Sequence, residues 1–197
     1  MPEGDFERLY AGARGNLRAV PWALLEPHPS FVEWLNRRPA PHRDAALVVG
    51  CGLGDDAEEA ARRGYAVVAF DLSPSAIRLA RKRFPTSAVD YQVADLRDLP
   101  GRWAGAFDLV VEIRTLQSLP RGARGPAIAA VAGCTAPGGV VFVRGMLEAD
   151  GGRRGGRPWP LRRSELAAFG EAGLTELEFA PKPSEGGFVA VYQRPPR

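Results

Sequence analysis

The chain has little of what builds metal sites, disulfide frameworks or membrane spans. Its 197 residues hold two cysteines and two histidines. Cys51 and Cys134 make no disulfide framework, and no zinc-ligand spacing occurs, so no metal site is expected. His28 and His42 leave little imidazole for acid–base work. No apolar run approaches the roughly 20 residues of a membrane-spanning helix. The start, Met1-Pro2-Glu3-Gly4-Asp5, does not read as a signal peptide. A cytoplasmic protein with no membrane partner is therefore expected. Lysine is nearly missing: Lys82 and Lys182 are the only two, and arginine supplies the remaining basic charge. The net charge of +3 is modest for this length and is no footprint of a nucleic-acid partner. The clusters Arg78-Arg81-Lys82-Arg83 and Arg153-Arg154-Arg157 have the composition to touch phosphates, but such runs are more often solvated faces.

What is present is a 45% hydrophobic content, ordinary for one soluble domain with a sizeable core. One stretch carries most of the information. Ala46-Leu47-Val48-Val49 leads into Gly50-Cys51-Gly52-Leu53-Gly54-Asp55-Asp56. A helical stretch, Ala57 to Arg63, stops at Gly64, and a second apolar run, Ala66 to Phe70, ends in Asp71. Glycine lets a ligand lie against bare backbone. An acid about 20 residues beyond such a turn suits the two hydroxyls of a ribose. The order strand, glycine turn, helix, strand, acid thus predicts an adenosine-containing cofactor.

The dinucleotide pattern G-x-G-x-x-G places its third glycine where this chain has Asp55. Two carboxylates at that helix start oppose a pyrophosphate, which needs open N–H groups. They suit a ligand carrying an ammonium and a sulfonium, as S-adenosylmethionine does. Asp55 and Asp56 equally suit a helix N-terminus as dipole partners, and the two readings are compatible.

From Ala46 on, strands and helices alternate, the pattern of a parallel α/β sheet. Strands are expected at 46–49, 66–70, 88–94, 107–113 and 140–144. Helices are expected at Ser73–Arg83, capped by Ser73 with Pro74 in first position, at Gly122–Cys134 and from Ser164. Ala136-Pro137-Gly138-Gly139 reads as a turn before the fifth strand. Leu174–Phe179 and Phe188–Gln193 read as a closing antiparallel pair. Ahead of the sheet, Phe6, Leu9 and Tyr10 form a short amphipathic piece. Ser30 to Arg37 reads as a helix with a capping box from Ser30 and Glu33.

With these segments in order, the chain resembles the class I S-adenosylmethionine-dependent methyltransferases. The marks are Val49-Gly50-Cys51-Gly52-Leu53-Gly54, Phe70-Asp71-Leu72-Ser73-Pro74-Ser75-Ala76-Ile77, Val93-Ala94-Asp95-Leu96, Phe107-Asp108-Leu109-Val110 and Ala136-Pro137-Gly138-Gly139. Pro21-Trp22, Pro27-His28-Pro29 and Gly156-Arg157-Pro158-Trp159-Pro160 resemble the thiopurine S-methyltransferase-like, small-molecule branch. The resemblance implies a Rossmann-like α/β fold: a seven-stranded, mostly parallel sheet with a C-terminal antiparallel hairpin, in three αβα layers. Residues 1–44 would be a lid or helical segment and 45–197 the methyltransferase domain, within a single domain overall.

The resemblance further implies that Gly50, Gly52 and Gly54 line the methionine and ribose part of the cofactor, with Cys51 inside the turn. Asp71 would hold the ribose hydroxyls and Leu72 would lie along the adenine. Asp95 would accept from the adenine amino group, with the Leu96 backbone beside the ring. Many such enzymes carry an acid two places before the first glycine; here that place is Val48, and Asp55, Asp56 or backbone carbonyls inherit its task.

Candidates on the acceptor side are Trp22, His28, Glu112, Arg114, Gln117 and Trp159. Trp22 either faces the sulfonium, where an indole attracts a cation, or anchors the front segment. His28 and His42, set among prolines, read as exposed turn histidines, with His28 kept for its place in the front motif. Glu112 stands in a strand of Val and Ile, where an unpaired carboxylate is costly. It would bind the methionine ammonium, shape the acceptor site, or pair with Arg114 or Arg144. The expected activity is methyl transfer to a small molecule, a thiol preferred, with O- or N-transfer to a natural product, or cofactor binding without catalysis, as alternatives. No Asn/Asp-Pro-Pro-Tyr/Phe tetrad for nucleic-acid amines occurs. S-adenosylhomocysteine would be the product, and the chain a monomer or homodimer.

Overall fold

The computed structural model describes residues 4–13, 16–39, 41–42, 44–148 and 158–197. The cluster Arg153-Arg154-Arg157 and the start of the Gly156–Pro160 motif lie outside the described residues. Two compact units divide the chain, Met1–Asp95 and Leu96–Arg197. The front segment falls with the first.

The first unit carries α1 (Gly4–Gly12), α2 (Pro29–Asn36), β1 (Ala45–Val49), α3 (Asp55–Arg62), β2 (Ala66–Asp71), α4 (Pro74–Arg83) and β3 (Asp90–Val93). β1 and β2 pair in parallel, as do β2 and β3. β1 is buried from Ala46 to Val49, which explains its unbroken apolar run. Ser73 caps α4 as expected, its hydroxyl accepting from Ala76 N at 3.1 Å, with Pro74 in first position.

The second unit carries β4 (Phe107–Ile113), α5 (Arg121–Gly133), β5 (Thr135–Met146), α6 (Ala167–Glu171), β6 (Thr175–Lys182) and β7 (Gly187–Gln193). β4 and β5 are parallel; β7 runs antiparallel to both β5 and β6. The sheet has seven strands in the order β3-β2-β1-β4-β5-β7-β6, mostly parallel with an antiparallel closing hairpin, as the sequence implies.

Four local expectations change. α2 is capped by His28, not Ser30: His28 Nδ1 accepts from Ser30 N at 3.2 Å and Pro29 takes the first helical position. His28 is consequently buried (4% exposed) rather than an exposed turn residue. The Ala136–Gly139 turn lies within β5 as a bulge. Thr135 pairs with Phe107 and Val140 with Leu109, so extra residues of β5 must loop out, and Gly138 supplies the left-handed backbone (φ +79°) they need. The helix expected from Ser164 is a 3-10 turn, Arg163–Leu166, running into the short α6. β3 is shorter than expected and the closing strands are longer.

Candidate cofactor site

The glycine turn after β1 is a left-handed run. Gly50, Gly52 and Gly54 have φ of +61°, +53° and +92°, a region closed to most side chains. Cys51 N donates to Phe70 O at 2.8 Å and Gly54 N to Cys51 O at 3.0 Å. Asp71, ending β2, ties the turn from the other side. Its Oδ2 accepts from Gly52 N at 3.0 Å and its Oδ1 from Ser73 N at 2.9 Å. Burial raises the Asp71 carboxyl's pKa, while these N–H groups pull it down. Burial and the Asp71 charge push the Cys51 thiol well up, so it is no nucleophile.

Gly54 has a second reason to be glycine. A Cβ there would collide with the Tyr91 hydroxyl, which donates to Glu58 Oε1 at 2.7 Å. Close packing of β3 on the start of α3 thus fixes the third glycine. Beside Asp71, Leu72 is 39% exposed, and Val93, paired with Asp71 across β2 and β3, is 53% exposed. These side chains leave apolar surface at the strand ends. Asp95 is half-buried there and Leu96 is buried.

Asp55 and Asp56 at the start of α3 both have partners within the protein. Both oxygens of Asp55 bind Arg83, at 2.7 and 2.6 Å, and the same guanidinium reaches Leu53 O at 2.7 Å. Asp56 Oδ1 accepts from His28 N at 2.7 Å. Arg83 therefore offsets the charge counted against a pyrophosphate and ties Asp55 to the turn. Val48 is a buried core residue of β1.

The front segment is fastened to this turn, which sequence reasoning missed. Glu7 accepts from the hydroxyls of Ser73 and Ser75 and from Ser75 N at 3.1 Å, adding a carboxylate to the N-terminus of α4. Tyr10, Ala13 and Val20 bury against Leu53 and Ala76, with Trp22 packed alongside. Trp22 Nε1 donates to Tyr10 Oη at 2.8 Å, and its ring meets Phe6 and Tyr10 edge-on at 5.5 and 5.7 Å. Of the two readings of Trp22, its anchoring contacts are present. Glu7 and Tyr10 gave no signal beyond an amphipathic period.

In the second unit, Glu112 is fully buried at the end of β4. Its Oε1 accepts from Thr115 N at 2.7 Å and Leu116 N at 2.9 Å, and among the described residues Oε2 has no partner. Burial pushes its pKa up to about 7, against the pull of those two N–H groups. Of the alternatives for Glu112, pairing with Arg144 is not taken: Arg144 binds Glu185 at 3.0 Å and Gly145 O. Arg114 turns the chain with φ +63°, a strained value for a side chain of its size, and its N donates to Arg144 O at 2.8 Å.

Gln117 is buried and structural: Oε1 accepts from Met146 N at 2.7 Å, and its carbonyl accepts from Trp159 N at 2.9 Å. Trp159 is half-buried, and its own carbonyl accepts from Arg124 at 2.6 Å. Arg124, 1% exposed, also pairs with both oxygens of Glu165 at 2.9 Å. Nothing in the alanine-rich α5 had marked it as a buried clamp.

Residues 46–139 match a family model described as a methyltransferase domain, and the fold is shared with solved methyltransferase structures. Among named relatives, the chain is 36% identical over 118 residues to the ubiquinone biosynthesis O-methyltransferase of Xanthomonas axonopodis pv. citri, covering 59% of this chain and 48% of that one. The chain thus spans about half the length of the curated relatives it matches. Two solved structures share the fold. The 1,6-didemethyltoxoflavin-N1-methyltransferase of Burkholderia thailandensis, with S-adenosylhomocysteine bound, is 22% identical with a TM-score of 0.71, covering 98% of this chain and 87% of that one. A TehB-like S-adenosylmethionine-dependent methyltransferase from Corynebacterium glutamicum is 21% identical with a TM-score of 0.70, covering 97% and 99%. None of these three carries the thiopurine S-methyltransferase name. No described helix is long and apolar enough to cross a membrane.

Proposed function

We propose that the chain is an S-adenosylmethionine-dependent methyltransferase of small molecules, with an oxygen nucleophile. The observation that carries the cofactor half is the left-handed glycine turn gripped by Asp71. The oxygen acceptor, in place of the thiol expected from sequence, is supported by relatives named O-methyltransferases at 34–36% identity.

S-adenosylmethionine supplies a methyl group on a sulfonium, open to in-line displacement. Gly50, Gly52 and Gly54 present bare backbone to it. The Asp71 oxygens accept from Gly52 N and Ser73 N, and a carboxylate has about four acceptor sites, enough to take a ribose hydroxyl as well. Leu72 offers the apolar face for the adenine, and Asp95 an acceptor for its amino group. A hydroxyl acceptor, unlike a thiolate, must lose a proton.

The test is incubation with methyl-labelled S-adenosylmethionine and a panel of catechols, phenols, amines and thiols. Label on a phenolic oxygen supports the reading. Label on thiols alone returns the acceptor to sulfur, and no transfer despite tight cofactor binding leaves a binding protein.

A further inference from the structure

At Gly52 the front segment meets the glycine turn through a hydroxyl. Tyr10 is 4% exposed, and a Cβ at Gly52 would lie 2.9 Å from its Oη. Glu7, one helical turn earlier in α1, is held by Ser73 and Ser75 of the neighbouring helix, so Tyr10 is carried on a fastened element. Burial, then the Asp71 charge, raise the Tyr10 hydroxyl well above its usual range, so it keeps its proton.

That proton has no use inside the protein. The hydroxyl accepts from Trp22 Nε1, yet no acceptor for its own hydrogen occurs among the described residues. Buried donors are nearly always paired. The missing partner must accept a hydrogen bond next to Gly52, whose N–H is itself bonded to Asp71. An ammonium has no lone pair to offer. A ligand carboxylate accepts, but would stand against the charge of Asp71. A hydroxyl satisfies both neighbours, its oxygen accepting from Tyr10 and its hydrogen going to Asp71.

We propose that Tyr10 is a cofactor-contacting residue that donates to a ribose hydroxyl, completing a chain from Trp22 Nε1–H through Tyr10 O–H and the ribose O–H to the Asp71 carboxylate. This rests on the cofactor reading above. It makes the front segment a wall of the cofactor site, not only a lid over the acceptor. Trp22 is the positioning residue: its N–H occupies the lone pair of Tyr10 and turns the phenolic hydrogen outward.

The test is calorimetric titration of the full chain with S-adenosylhomocysteine and with its 2′-deoxy and 3′-deoxy analogues. Tyr10→Phe is expected to weaken S-adenosylhomocysteine binding by about 3- to 10-fold in a chain that still melts cooperatively, a few degrees lower for the lost Trp22 bond. Against the one analogue that lacks the contacted hydroxyl, wild type and variant should bind alike. Trp22→Phe keeps a ring and loses the N–H, and should show a smaller loss with the same analogue dependence. An equal Tyr10→Phe loss with both analogues would move the contact off the ribose and overturn the proposal. Normal binding by the variant would overturn it too. Failure of the wild type to bind S-adenosylhomocysteine at all would instead remove the cofactor reading, and this proposal with it.

Discussion

At the scale of the residue, Asp71 has two obligations, to the turn through Gly52 N and Ser73 N and to the proposed ribose. Asp71→Ala should weaken S-adenosylhomocysteine binding by about 1 to 3 kcal/mol, and Asp71→Asn by less, because an amide keeps one acceptor. Titration calorimetry reads both, and normal binding by a folded Ala variant contradicts the ribose role. Glu112 gives a pH signature. Its carboxyl ionises near pH 4.5 when unfolded and at about 7 when folded. Below the lower value both states are protonated. As pH rises between the two, only the unfolded state ionises, and stability is lost up to the folded pKa. The loss is on the order of 3 kcal/mol. Denaturant melts from pH 4 to 8 should show it in the wild type and a flatter curve in Glu112→Gln; parallel curves would mean that Glu112 is ionised in the fold. A lone carboxylate between Val111 and Ile113 was legible as unusual. Its partners were not, because the backbone N–H groups of Thr115 and Leu116 reach it only through the turn that follows.

At the scale of the element, the strands, glycine turn and α4 cap were readable because each rests on local rules: burial on both faces, absent Cβ atoms, Ser-Pro at a helix start. The misread places are those where a distant group decides. Ser30 and Glu33 satisfy a capping pattern, yet His28 caps α2, its own N–H fixed by Asp56 from α3. Asp55 reads as ligand-facing until Arg83, 28 residues away, takes both its oxygens. The third glycine is set by Tyr91 in β3. Gly54→Ala should therefore cost more than the roughly 1 kcal/mol of an ordinary left-handed strain, by adding a steric clash. Tyr91→Phe in the same chain should recover part of that loss. Thermal melts of the two single variants and the double variant check this, and strict additivity would show that backbone strain alone is at work.

At the scale of the whole molecule, composition and the absence of long apolar runs bounded the fold well, while the front segment's role was hidden. Residues 1–44 read as a lid or helical segment ahead of the sheet. In the fold Tyr10, Ala13 and Val20 cover Leu53 and Ala76, and Glu7 engages α4. Deleting residues 1–29 should lower the thermal midpoint by roughly 10 °C or more, since several buried side chains lose their cover and each kcal/mol is worth about 2 to 4 °C at this size. An unshifted melt would restore the detachable lid. The central claim is that the turn at Gly50–Gly54 and Asp71 hold the cofactor of methyl transfer. Its most direct measurement is calorimetric titration of the full chain with S-adenosylhomocysteine and, in parallel, with NAD. The account predicts one saturable site for S-adenosylhomocysteine, weakened by Asp71→Ala, and none for NAD; saturable NAD binding with silence toward S-adenosylhomocysteine would contradict it.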